Sequence, residues 1–185
     1  MIRTVTKIGD PILRQPAREV TADEIAAGAV RTLVDDMIET MHHEGGIGIA
    51  APQVGEPVRV AVIEFDPDSE RYRDMGQCAL TVFVNPVVTV LDDEEQAFWE
   101  GCLSVPDLRG VVPRPRKVRV DYVDLDGQPQ SMVGEDFIAT VLQHELDHLD
   151  GILFVDRVRD TRLLATVDEY EKHWLSAGDD EAAEG

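Results

Sequence analysis

Residues 135–151, EDFIATVLQHELDHLDG, decide how this chain is read. Phe137, Ile138, Val141 and Leu142 make the segment apolar, and Gly151 stands where a helix-ending glycine belongs. A buried helix is therefore expected from about Glu135 to Asp150. His144 and His148 lie one turn apart on it, so both imidazoles can reach one metal ion. Glu145, beside the first histidine, is placed to work on a water held by such an ion. The plainer reading is two ordinary histidines on an ordinary helix. Burying two histidines and a glutamate among apolar residues is costly unless they are paired or ligating, which favours ligation.

The rest of the chain supplies a sheet for this helix to pack on. Residues 58–65, VRVAVIEF, read as a strand, and 66–79 as a polar loop. Residues 80–84 and 87–91 are β-rich and split by Asn85-Pro86, which suggests an edge strand or a bulge. In 117–124, Val118, Val120 and Tyr122 alternate with charged residues. Asp126-Gly127 then marks a turn, and residues 131–133 can return as a hairpin partner. Upstream, Thr21 and Glu24 form a capping box. Val30, Leu33, Val34, Met37, Ile38 and Met41 recur at helical spacing behind it, and Gly45-Gly46 closes that first helix. A last amphipathic stretch, roughly 160–175, reads as a C-terminal helix. No internal repeat breaks this order. The expected class is α+β, mostly antiparallel sheets around a central metal-binding helix.

Composition narrows the function. The 185 residues suit one catalytic domain, expected over 1–176, with an acidic disordered tail at 177–185. With 37 acidic and 17 basic residues the formal net charge is -20, which repels phosphate backbones and excludes nucleic acid as a direct partner. No apolar run is long enough for a membrane span, and MIRTVTKIGDPILRQP lacks a secretory apolar core, so a cytoplasmic protein is expected. There are only two cysteines, Cys78 and Cys102, so a disulfide framework is not indicated.

A catalytic metal needs a third protein ligand and an open position. Glu169, Glu171 and His173 lie downstream, where their simple reading is a solvated helix face. Upstream, Glu100-Gly101-Cys102-Leu103-Ser104 offers a cysteine with little structural reason to be there. Its thiolate with two neutral imidazoles would give a His2Cys site. Cys78 has no such context and reads as a small buried or loop residue. The segment 46–53, GIGIAAPQ, follows a helix rather than a strand and lacks a following Lys-Ser/Thr, so it fits neither a dinucleotide nor a phosphate loop. Its glycines would let a peptide backbone approach, and Gln53 could donate its amide to a developing oxyanion.

Together, GIGIAAPQ, EGCLS and QHELDHLDG, in this order, resemble peptide deformylase. The likeness extends to Asp10-Pro-Ile-Leu-Arg14 and to Leu103-Ser-Val-Pro106 with Arg109 beyond, and covers most of 1–157. The resemblance implies a metal-dependent hydrolase that removes the formyl group from N-formylmethionine of newly made polypeptides and releases formate. It implies Cys102, His144 and His148 as metal ligands, Glu145 as general base and acid, and Gln53 with the Leu103 N–H as oxyanion donors. Gly48 would contact substrate through its backbone. Phe98, Phe137, Thr140 and Val141 would line the methionine pocket, and Arg109 would stand at the mouth. The implied metal is one divalent ion per chain, natively Fe2+, with Zn2+ or Ni2+ as replacements. Nascent formylmethionyl peptides as partners imply proximity to the ribosome, yet the acidic C-terminus does not match the basic ribosome-docking helix of some relatives. The readings set against this are a zinc endopeptidase and a non-catalytic formyl-peptide binder.

Overall fold

The computed structural model describes residues 1–65 and 78–175. Most of the expected 66–79 loop and the expected acidic tail lie outside the described residues. In chain order the elements are α1 (Ala22–Ala26), α2 (Arg31–His43), β1 (Gly48–Ala50), β2 (Val60–Phe65), β3 (Cys78–Cys102), β4 (Val105–Val123), β5 (Pro129–Glu135), α3 (Phe137–Asp147), β6 (Leu164–Thr166) and α4 (Val167–His173). The sheet is antiparallel in the order β1-β2-β3-β4-β5, with β6 paired to β4. The α+β class with antiparallel sheet and a central helix is what the structure has.

Strand alternation explains how the sheet holds helices on two sides. On β2, Ala61 and Ile63 pack with Phe83, Val118, Val120 and the α3 residues Ala139, Leu142 and Leu146. Val60 and Val62 face the other way, onto Val34, Met37 and Met41 of α2. The metal-motif helix is thus pressed against the sheet by a continuous apolar layer, which fixes its position to within side-chain packing tolerance.

The expected first helix is two helices. Thr21 caps α1 with the full capping box, but Gly28 takes a left-handed φ of 68° and turns the chain before α2 begins. The expected break at Asn85-Pro86 is a bulge: the β3–β4 register slips between Val84 and Val87, and Asn85 has φ 50°. The Asn85 side chain pins it by bonding both the N–H and the carbonyl of Val20 at 2.8 Å. The β2 pairing ends at Val84, so beyond it β3 has β4 as its strand partner and its other edge is open among the described residues. The 117–124 strand is the end of the much longer β4, and the Asp126-Gly127 hairpin into β5 forms as expected. Of the stretch 160–175, only Val167–His173 is α-helical; β6 and a 3-10 turn at Thr161–Leu163 take the rest.

The helix of the opening motif starts later than expected, at Phe137, because Asp136 sits at φ 53°, ψ −127°. It tightens into a 3-10 turn at His148–Asp150 and ends at Gly151, left-handed at φ 75°. A Cβ at Gly151 would also meet the Arg14 backbone at 2.7 Å, so only glycine fits there.

Candidate active site

The upstream ligand comes from a hairpin tip. Strands β3 and β4 run together until Cys102 pairs with Val105, which leaves Leu103 and Ser104 as the turn. A register slip between Glu100 and Cys102 re-aims the end of β3 toward α3. Cys102 Sγ lies 3.4 Å from His148 Nε2 and accepts from the Ser104 N–H at 3.4 Å. The His144 and His148 rings stand 5.3 Å apart, edge to face. One donor atom each from Cys102, His144 and His148 falls within 4.8 Å of the others. Among the described residues this is the group that meets the requirement for a metal ion. Glu169 instead pairs with Lys172 and His173 on the surface, and Glu171 reaches only the outer cleft. Cys78 is buried at the start of β3, where burial pushes its thiol pKa up.

The donor chemistry fits a divalent ion. His144 Nδ1 is 2.7 Å from Glu100 Oε2, so Nδ1–H donates to the carboxylate and Nε2 is left for the cluster. Burial alone would raise the Cys102 thiol, but the charge of His148 and its contacts with both histidines outweigh that and hold it well below its usual value. A thiolate in place of a thiol is what a metal requires. Burial opposes charging His144, yet its bonds to Cys102 and Glu100 raise its pKa well above the ordinary imidazole value. Among the described residues two buried side-chain atoms lack a hydrogen-bond partner, Glu145 Oε2 and His148 Nδ1, and both belong to this motif. Burial raises the Glu145 pKa against the opposing pull of the histidines.

Behind the cluster runs a chain of buried charges to which sequence reading gave no role. Arg114 grips Glu100 in a fork, at 2.6 and 3.0 Å, and reaches Asp147 at 2.8 Å. Asp147 also accepts from Arg157 at 2.6 Å. Arg114 and Glu100 are nearly free of solvent, at 3% and 5% side-chain exposure, so the pair is satisfied internally or not at all. The sequence held a signal: on β4, Val112, Val118 and Val120 are buried at even positions, and Arg114 shares that parity. An arginine on the inward face of a strand needs a buried partner.

Gln53 is held from both ends. Its Oε1 accepts from the Ala50 N–H at 2.7 Å, which fixes the amide with Nε2 toward the hairpin tip. Nε2 then donates to Ser104 Oγ at 3.2 Å and lies 3.5 Å from Cys102 Sγ. A Cβ on Gly48 would come within 2.5 Å of the Glu145 carboxyl group, so β1 approaches this close only as glycine. A cleft of about 520 Å³ opens over these groups. It brings together Gly48, Gln53, Cys102, Leu103, His144 and Glu145 on its floor. Phe98, Phe137, Thr140 and Val141 line one side, with the Phe98 and Phe137 rings 5.6 Å apart, and Arg109 lies over Gly101. His148 sits beneath the floor, 1% exposed.

The residues that the resemblance assigned to the site thus fall in or under one cleft, while Cys78, Glu169 and His173 lie outside it. Residues 2–163 match the family described as polypeptide deformylase. A peptide deformylase of Leptospira biflexa serovar Patoc is 43% identical over 162 residues, covering 88% of this chain and 90% of the relative. Peptide deformylase 2 of Pseudomonas putida is 43% identical over 160 residues, covering 86% and 89%. The Met-Ala-Ser-bound crystal structure of a class I type b peptide deformylase from Acinetobacter baumannii is 41% identical with a TM-score of 0.81, covering 85% of this chain and 99% of that one. The hairpin-tip cysteine, the paired histidines and the match over nearly the whole chain lead to one conclusion: this chain belongs to the polypeptide deformylase family.

Proposed function

We propose that this cleft hydrolyses the formamide of N-formylmethionyl peptides, with Cys102, His144 and His148 holding one divalent metal ion. The observation that carries the reading is the convergence of three separated segments on one point, with the donor atoms of the three ligands within 4.8 Å. When bound there, a divalent ion lowers the pKa of a water molecule and draws charge from the formyl carbonyl. Glu145 takes the proton of the attacking water and returns it to the departing amine. Its burial and unpartnered Oε2 suit a carboxylate that holds a proton only in transit. Gln53 Nε2 and the Leu103 N–H donate to the developing oxyanion. Of the Gln53 contacts, the one to Cys102 sulfur at 3.5 Å is the weaker, so that N–H is the one to turn to substrate.

Substrate choice follows from the walls. Phe98, Phe137, Thr140 and Val141 receive the methionine side chain, and Gly48 lets the peptide backbone lie against β1. A formyl carbon carries only hydrogen, so a tight floor admits it and excludes bulkier acyl groups. Ferrous iron is the proposed native ion: a thiolate with two imidazoles suits it, as it does zinc and nickel, and geometry rather than affinity order decides occupancy. No described helix is long and apolar enough to cross a membrane. Substrates of this kind emerge from the ribosome, and the reading accordingly puts the enzyme's work in the cytoplasm, near ribosomes.

The test is formate release from formyl-Met-Ala-Ser by protein reconstituted anaerobically with ferrous iron. One free amine should appear for each formate. Cleavage inside an unformylated peptide, or binding without a new amine, would overturn the reading. Equal turnover by aerobic zinc protein would remove the preference for iron.

A further inference from the structure

One wall of the cleft comes from a part of the chain that the family match does not reach. The match ends at residue 163, yet Val167, Tyr170, Glu171 and Leu175 line the same cleft as Cys102 and Glu145. Trp99 of β3 anchors this segment, its ring 5.1 Å from Tyr170 and 5.4 Å from Trp174. Of this segment, the cleft-lining Leu175 is 61% exposed and its neighbour Trp174 37%. Large apolar groups left open beside a binding cleft mark surface that a ligand can cover.

Strand geometry says which part of the ligand. Side chains alternate along β3, so Phe98 turns to Phe137 on one face and Trp99 turns to α4 on the other. Among the described residues, this stretch of β3 has an open edge opposite β4. A peptide lying extended along that edge alternates in the same way. With its first side chain on the Phe98 face, its second faces Trp99 and α4. We propose that Tyr170 and Leu175, backed by Trp99, form a subsite for the second residue of the substrate, and that it selects a large apolar or aromatic side chain. This rests on the deformylase reading and adds a specificity determinant to it.

The test compares formyl-Met-Phe-Ser, formyl-Met-Ala-Ser and formyl-Met-Lys-Ser, by formate release, in the wild type, Tyr170→Ala and Leu175→Ala. The wild type should favour Phe over Ala roughly three- to tenfold in kcat/KM, the size expected of one aromatic contact, and through KM. Both variants should bring that ratio toward one while kcat for the Ala peptide stays within about twofold, a change too small to signal lost transition-state contacts. Should Tyr170→Ala loosen α4 as a whole, Leu175→Ala carries the test, because its side chain is mostly in solvent. A Phe preference that survives Leu175→Ala overturns the subsite. So does a wild type that prefers Lys, which would make Glu171 the reader, or one that treats all three peptides alike. No formate from any peptide overturns the deformylase reading and the subsite with it, and is thereby distinguishable from failure of the subsite alone.

Discussion

Helices α1 and α3 obey different rules. In α1, Thr21 Oγ accepts from the Glu24 N–H, Glu24 Oε2 accepts from the Thr21 N–H at 2.8 Å, and Arg18 grips the same carboxylate from solvent. Each charge has water or a partner. In α3 the N-cap side chain makes no capping hydrogen bond and Asp136 is forced to a positive φ, while His144, Glu145 and Asp147 are buried inside the helix. A helix that only has to stand satisfies its local preferences. One proposed to hold a metal and move a proton violates them and is kept in place by the sheet packed around it.

The largest test of that contrast is Glu145→Ala. If the buried carboxylate is there for chemistry, its loss should lower kcat about 10²- to 10⁴-fold, the usual reach of a general base. Metal content by elemental analysis should match wild type, and the metal-free protein should melt no lower, because an unpartnered buried carboxylate costs stability. Undiminished kcat would break the assignment; a lower Tm would show that Glu145 supports the fold after all.

Next in size is Arg114→Ala. It strands Glu100 without its cation and removes one of the two arginines on Asp147. Breaking so buried a pair should cost about 3–5 kcal/mol in urea unfolding. It should also weaken metal binding, because Glu100 would no longer be held against His144 Nδ1. The corresponding change at α1, Arg18→Ala, touches an exposed pair and should barely shift the midpoint. Equal losses at the two sites would erase the distinction between the helices.

What the sequence made legible follows the same division. The α1 capping box could be read from Thr21 and Glu24 because it lies within four consecutive residues, and the end of α3 could be read from Gly151. The grouping of Cys102 with His144 and His148 was legible because metal chemistry would demand a fixed spacing on a helix and a thiolate elsewhere. The strain at Asp136 was not legible: nothing local asks for it, and its conformation is set by the β5–α3 corner, where its N–H donates to Arg116 O at 2.9 Å. Nor was the Glu100–Arg114–Asp147 chain, whose members meet only once β3, β4 and α3 are packed. The break at Gly28 was missed because the apolar stripe of α2 continues in period with α1, and periodicity does not register a single turn of φ.

Asp136→Gly tests the strain itself. Glycine accepts φ 53°, ψ −127° freely, so the substitution should relieve about 1 kcal/mol or somewhat more. Against this stands the loss of the Arg116 pair, which is 43% and 56% exposed and contributes little. A higher urea midpoint with unchanged kcat would show that the strain is a by-product of the corner. A stabilised but slower enzyme would show that the strained entry positions α3 for catalysis.

The smallest expected effect is at α1, and its sign can be worked out. Arg18, then the Thr21 N–H and hydroxyl, hold Glu24 at a pKa of about 2, below the ordinary glutamate value of 4.5. A carboxylate depressed by folding contributes stability that is present in full above its unfolded pKa and lost as pH falls through the folded one. Glu24→Gln should therefore lower Tm at pH 7, by less as pH drops below about 4.5, by only a remnant at about pH 2 where the folded carboxyl is half protonated, and not at all well below that. A deficit that did not shrink between pH 7 and about pH 2 would assign the contribution to the shape of the capping box instead of its charge. The matching neutralisation in α3, Glu145→Gln in metal-free protein at pH 7, should have the opposite sign, because burial raises that carboxyl group and its charge is held against the fold. Opposite signs for one chemical change at two helices would be the most direct measurement of the difference between them.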